Sequence, residues 1–273
     1  LRPSPPRLAA ARPRTRPAPS ALPWLRTAGG ALQTADGARL RLLGVRLDLS
    51  PPEADLTHVQ AMLAGVLPGC RCVSLQLART APLAESALPA LDARIAAWAA
   101  AGVYTLLRFD AQIWQRGHHL RLARRYAHEP AVLYALSGRA PLADKLWQAA
   151  QALYAVHPRA LAWLPLESAA PALRSRPAEG LGLGLLWDAT RPQAPRLPML
   201  SGVLQHPLLL DGWEVDTRNP LVHERLMALC RQGQMGWLAH SSTGWFGDRQ
   251  GLPVPGRAVH ALQRAIHLSA AAN

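Results

Sequence analysis

From Leu25 onward the apolar positions keep one order: a short apolar run with β character, a polar break, then a stretch with helical spacing. ALQTADGARLRLLGVRLDL predicts a hairpin around Asp36-Gly37 and then a buried strand over Leu40–Leu47. EADLTHVQAMLAGVL carries helix signals and stops at Pro68-Gly69. CVSLQLA is a second strand, and its helix, ESALPALDARIAAWAAAG, is closed by Gly102 as C-cap. VYTLLRFD is a third strand, followed by helical RLARRYAHE. AVLYALSG is a fourth, followed by PLADKLWQAAQALYAVH with Pro158 just past its end. ALAWLPLE and LGLGLLWD give the fifth and sixth strands. PLLLDGWEV is the seventh, with NPLVHERLMALCRQG behind it, and QMGWLAHSS is the eighth; AVHALQRAIHLSAAA is a closing helix.

Strands that are apolar on both faces and alternate with helices imply a parallel sheet covered by helices. Eight such units over residues 30–273 match an α/β fold of the (β/α)₈ barrel type. The units after strands five and six are short and Pro-rich, so one or two helices are expected to be reduced there. A doubly wound open sheet is the rival architecture. Its nucleotide-binding form requires a Gly-rich turn after the first strand, and none follows here.

Composition changes this picture little. The 273-residue chain is 49% hydrophobic and 17% charged, as in globular proteins. It has no apolar run of the roughly 18 residues that a membrane helix requires. The net charge of +13 would direct attention to nucleic acid, but six of the 30 basic residues lie in the first 29 positions without a single acid. The remainder, with 24 basic and 17 acidic residues, carries +7. Lys145 is the only lysine, and the arginines are not interleaved with aromatics in a stripe for stacked bases. No nucleic-acid partner is therefore expected, and the Arg, Ala, Leu and Pro usage is that of a high-GC genome.

Residues 1–29 are rich in Pro, Ala and Arg and lack periodicity, as in a disordered leader or linker. A start at Leu1 leaves room for a signal peptide, anchor or further domain upstream. The expected location is secreted, periplasmic or envelope-associated. Cys70, Cys72 and Cys230 form no disulfide framework; they read as small buried thiols, with a pairing of Cys70 or Cys72 to Cys230 left open. His118-His119 reads as a solvated loop pair rather than a metal site, and no cofactor is expected.

In a (β/α)₈ barrel, chemistry collects where strands run into loops at their C-terminal ends. Those ends carry Arg46, Asp48, Gln76, Arg79, Arg108, Asp110, Arg139, Glu167, Trp187, Asp188, Glu214, Asp216 and His240, with Trp245 in the next loop. Carboxylates accept hydrogen bonds from sugar hydroxyls, and indole faces cover the apolar faces of pyranose rings. Polar strand ends also occur in any barrel, because they meet water.

Four stretches resemble the family-5 glycoside hydrolases, the cellulase-type barrels. They are LQTADGARLRLLGVRL, ALPALDARIAAWAAAGVYTLLRFD, RYAHEPAVLYALSGRAP and the seventh and eighth strands. The resemblance implies a retaining mechanism with two carboxylates about 5–5.5 Å apart, one protonating the leaving oxygen and one attacking the anomeric carbon. It assigns the nucleophile's position to Glu214. At the position of the acid the chain reads Ser137-Gly138-Arg139. A guanidinium keeps its proton at any accessible pH, so Arg139 cannot act as a general acid. The second-strand arginine of the family falls near Ser74 or Gln76, and the eighth-strand tryptophan falls near His240.

Three readings follow. The first is a carbohydrate-binding barrel with impaired or lost cleavage, its sugar cleft walled by Asp48, Asp110, Trp187, Asp188, Asp216, His240 and Trp245. The second is an active retaining hydrolase with Glu214 as nucleophile and a relocated acid/base among Glu167, Asp110 and Asp188. The third is an unrelated barrel enzyme or a module for acidic polymers. The ligand expected under the first two is an oligo- or polysaccharide.

Overall fold

A computed structural model describes residues 19–48, 69–77, 83–138, 143–166, 182–188, 205–214, 220–240, 246–249, 252–255, 260, 262–264 and 267. The chain enters through a three-stranded antiparallel sheet, β1 (Leu25–Ala28), β2 (Ala31–Thr34) and β3 (Arg39–Leu40). Asp36-Gly37 turn the β2–β3 hairpin, with Gly37 at φ 86. β1 lies inside the stretch read from sequence as leader. It pairs with β2 from Leu25↔Thr34 to Ala28↔Ala31, so the ordered body begins earlier than composition indicated.

Eight parallel strands then close into a barrel. They are β4 (Leu43–Asp48), β5 (Cys72–Gln76), β6 (Tyr104–Phe109), β7 (Val132–Leu136), β8 (Ala162–Pro165), β9 (Leu183–Asp188), β10 (Leu208–Glu214) and β11 (Gly236–His240). The ring closes through β11 on β4 and β9 on β10. The predicted strands all occur, trimmed by a few residues at their ends. Helices with described bounds include α1 (Leu88–Ala100, after a 3₁₀ turn at Glu85–Ala87), α2 (Ala111–Gln115), α3 (His118–Arg125), α4 (Ala143–Val156) and α5 (Pro220–Gln232). A hairpin of β12 (Phe246–Arg249) and β13 (Leu252–Pro255), which the sequence pattern did not announce, follows the last barrel strand. The predicted first helix and the segments after strands five and six lie outside the described residues. None of the described helices is long and apolar enough to cross a membrane.

Alternation along each strand separates two cores. One side of the strands meets the helices through Val45, Leu75, Leu107, Phe109, Tyr134, Leu164, Leu185, Leu210 and Trp237. The other fills the lumen with Leu42, Cys72, Tyr104, Leu106, Leu133, Trp163, Leu186, Leu209 and Leu238. The hairpin plugs the N-terminal end, with Leu25 and Leu32 in the lumen cluster and Tyr104 Oη donating to the Pro23 carbonyl at 2.9 Å. Glycine makes room for the large groups. A Cβ on Gly184 would sit 2.3 Å from the ring of Trp163, and one on Gly44 would sit 1.9 Å from the Cys72 carbonyl oxygen.

α1 shows how the outer layer forms. Leu88, Leu91, Ile95, Trp98 and Ala99 recur at helical spacing and are buried. The helix stops at Gly102, φ 79, where the N–H of Val103 turns back to the Trp98 carbonyl at 2.9 Å.

The three cysteines are free and buried, as read from the sequence. Burial pushes the Cys70 and Cys230 thiols up to about 12. His118-His119 is not the solvated loop pair expected. Both begin α3, and His119 is 2% exposed with its ring edge-on to Phe109 at 6.1 Å. The helical register turns it inward onto the barrel. Among the described residues no group of His, Cys, Asp and Glu is arranged to hold a metal.

Candidate functional site

The C-terminal rim is ordered by strand register. Asp48 pairs with Gln76, and Gln76 pairs with Arg108. Around the ring Asp188 pairs with Asp211, and Glu214 pairs with His240. The backbone thus gathers Asp48, Asp188, Glu214 and His240 at the ends of β4, β9, β10 and β11, with Trp187 one residue before Asp188. Arg139, Glu167, Asp216 and Trp245 lie outside the described residues.

Asp110 follows β6 and is half-buried. Its Oδ1 accepts the N–H of Gln112 at 3.3 Å, so it is the N-cap of α2. That structural role explains its presence at a strand end without a ligand. At the end of β7, Ser137 is half-buried and already engaged. Its Oγ donates to the Phe109 carbonyl at 3.0 Å, and its own carbonyl accepts Trp114 Nε1–H at 2.9 Å.

Beneath the rim the lumen turns from apolar to charged. Arg108 on β6 reaches across the barrel to Asp211 on β10, with Nη1 2.6 Å from Oδ1 and both side chains about nineteen-twentieths buried (6% and 5% exposed). The contact is an ion pair outside hydrogen-bond alignment. Arg108 Nε donates to Gln76 Oε1 at 3.3 Å, and Gln76 Nε2 donates onward to the Leu77 carbonyl at 3.2 Å. A buried guanidinium and carboxylate in a water-poor lumen are tolerated only as a pair. Ser74 Oγ and Trp163 Nε1, also buried, have no hydrogen-bond partner among the described residues.

Sequence reasoning placed Arg108 and Gln76 at strand ends without assigning them a role, and it passed over Asp211. The available signal was a lone charge within an apolar strand, in LLRF and again in LLLD.

β10 contains an irregularity. Asp211 pairs with Leu238 and Trp213 with Ala239, so Gly212 is an extra residue, at φ 73. Trp213 belongs to the outer core and meets Trp237 edge-on at 5.5 Å.

A groove of about 1050 Å³ runs along the flank between α1 and α3, and no strand-end residue lines it. Several of its polar groups are paired with one another: Arg121 with Glu85 at 2.8 Å, Tyr126 with Asp92 at 2.8 Å, and Arg125 Nε with Asp92 at 2.9 Å. It is a helix seam rather than the rim.

No family model matches the sequence. No curated protein matches it either. Solved structures do match. A β-glucanase from Saccharophagus degradans, determined with cellotetraose, superposes with a TM-score of 0.70 at 12% identity, covering 96% of this chain and 98% of that one. A β-mannanase from Thermomonospora fusca gives 0.62 at 15%, covering 84% and 87%. Endo-glycoceramidase II from a Rhodococcus species gives 0.57 at 14%, covering 85% and 80%. Likeness at these identities establishes the fold. The chain is a (β/α)₈ barrel with the same fold as these enzymes, and the likeness covers 84% to 96% of its length.

Proposed function

We propose that this barrel binds an oligo- or polysaccharide at the C-terminal rim and does not cleave it by the two-carboxylate route. One observation carries the reading. Glu214 ends the seventh barrel strand in register with His240, whereas the fourth strand ends at Leu136 and is followed in the sequence by Ser137-Gly138-Arg139, with no carboxylate. A retaining site needs both groups about 5–5.5 Å apart. Arg139 follows β7 in the sequence where the resemblance expects the acid, and a guanidinium supplies no exchangeable proton from that position. Asp48, Asp188, Asp216, His240, Trp187 and Trp245 are assigned to the walls of the cleft, with Asp110 contributing its uncapped oxygen. The structural neighbours solved with cellotetraose and with mannohexaose support a chain of hexoses as ligand. Such a role suits a secreted, periplasmic or envelope-associated protein.

The test is a panel of β-glucans, mannans and bacterial exopolysaccharides presented to the wild type and to Glu214→Gln. The expected result is binding without turnover, weakened by the substitution. Turnover abolished by Glu214→Gln would instead establish an active hydrolase with its acid at Glu167, Asp110 or Asp188. Salt-sensitive binding of acidic polymers, indifferent to Glu214, would defeat both.

A further inference from the structure

The last turn of β10 changes face within one residue. Before Gly212 the strand follows ordinary alternation: Leu208 and Leu210 lie in the outer core, and Leu209 lies in the lumen cluster. Asp211 continues the lumen phase and is anchored there by Arg108. Continued alternation would bring Trp213 into the lumen phase and Glu214 to the helix side. The reverse occurs. Trp213 packs in the outer core against Trp237, and Glu214 takes the register position of His240. His240 is two residues beyond Leu238, which belongs to the lumen cluster. Paired residues of parallel neighbours share a face, so Glu214 stands in the lumen phase by backbone placement.

We infer that Gly212 is the positioning residue of the rim: a one-residue bulge that moves Glu214 from the helix-side phase to the mouth. Two anchors fix the residues on either side. The cross-lumen ion pair holds Asp211 inward, and the Trp213–Trp237 contact holds Trp213 outward. The surplus residue must be absorbed between them, at φ 73, a conformation that glycine adopts without strain. The inference rests on the reading of Glu214 as the ligand-binding carboxylate, but its first test does not involve ligand.

Glu214→Cys in the full chain adds one thiol to three buried native ones. Maleimide labelling of that thiol is expected to be fast, and at least tenfold slower with Gly212→Val, because a β-branched residue resists φ 73 while the residue count is kept, so regular alternation then carries position 214 beneath the helices. Equal rates in the two backgrounds would overturn the inference. Should Gly212→Val fail to fold, Gly212→Ala is compared with Gly102→Ala, another positive-φ glycine, which ends a helix. The first is expected to slow labelling at least threefold and the second to leave it unchanged; no difference between them refutes the bulge's role.

Cellotetraose titration then connects phase to function. Gly212→Val should weaken binding as much as Glu214→Gln, at least tenfold. Exchanging Trp213→Glu and Glu214→Trp in the Gly212→Val background should restore it to within threefold, a rescue that general destabilisation would not produce. Wild-type affinity in the Gly212→Val variant, or a folded exchange variant that stays weak, contradicts the inference. A wild type that binds no sugar while labelling inverts as expected removes the functional reading and leaves the bulge's positioning role intact.

Discussion

Removing the charge of Asp211 without changing its shape is the most direct probe of the lumen. In Asp211→Asn, Arg108 keeps its hydrogen bond to Gln76 but loses its counter-ion 2.6 Å away. With charge centres roughly 4 Å apart and an effective dielectric near 20, the lost attraction is about 4 kcal/mol. Measured costs of stranding one member of a buried pair lie at about 3–5 kcal/mol. For a chain of this length each kcal/mol moves Tm by roughly 2–4 °C, so a fall of about 10 °C is expected. Replacing both partners by apolar groups, Arg108→Met with Asp211→Leu, should recover most of that loss, because the desolvation cost of two ions disappears together. Urea and thermal unfolding followed by circular dichroism, arranged as a double-mutant cycle, should give a coupling of at least about 3 kcal/mol. A cost below about 1 kcal/mol for Asp211→Asn, or single-variant costs that simply add in the double variant, would refute a desolvated ion pair at this position.

Burial lowers His119 and His157 to about 4, so both are neutral in the fold and bind protons more readily when unfolded. Their contribution is complete above about pH 6.5 and declines as pH falls toward 4, costing roughly 2–3 kcal/mol each by pH 4.5; His119→Leu or His157→Gln should flatten urea-derived stability across that window. Gly184→Ala drives a methyl group into the fully buried Trp163 ring and should cost at least about 1–3 kcal/mol by the same unfolding assay, whereas Gly29→Ala, whose Cβ would meet nothing within 4 Å, costs only its backbone strain. The native thiols should resist alkylation until the chain unfolds, since burial holds Cys70 and Cys230 at about 12; labelling of the folded protein within minutes at pH 7.5 would contradict their placement.

The eight strands were legible because strands buried on both faces write continuous apolar runs, and the order of those runs is the order of the barrel. The positions of Glu214 and His240 were legible only as strand ends. Their shared face was not, because period-two alternation assigns Glu214 to the wrong side, and only the bulge at Gly212 corrects it. The pairing of Arg108 with Asp211 escaped notice for a related reason. A charge in an apolar run signals an edge or a strand end, and nothing local indicates that its partner waits across the lumen, 103 residues away along the chain. β1 was hidden by its setting, since four residues that pair with β2 follow directly on a Pro- and Arg-rich stretch. His119 shows the limit of reading neighbours as a pair. Adjacent residues on a helix face different directions, so one histidine of the two is buried while the other is not.

A structure of the full chain with a bound hexose oligomer such as cellotetraose would show where on the barrel the ligand sits. The account predicts the sugar across the C-terminal ends of the barrel strands, with a hydroxyl in hydrogen-bond contact with the carboxylate of Glu214 and no second carboxylate about 5–5.5 Å from it. A sugar seated on the helical flank, or a second carboxylate at that separation across the glycosidic oxygen, would contradict it.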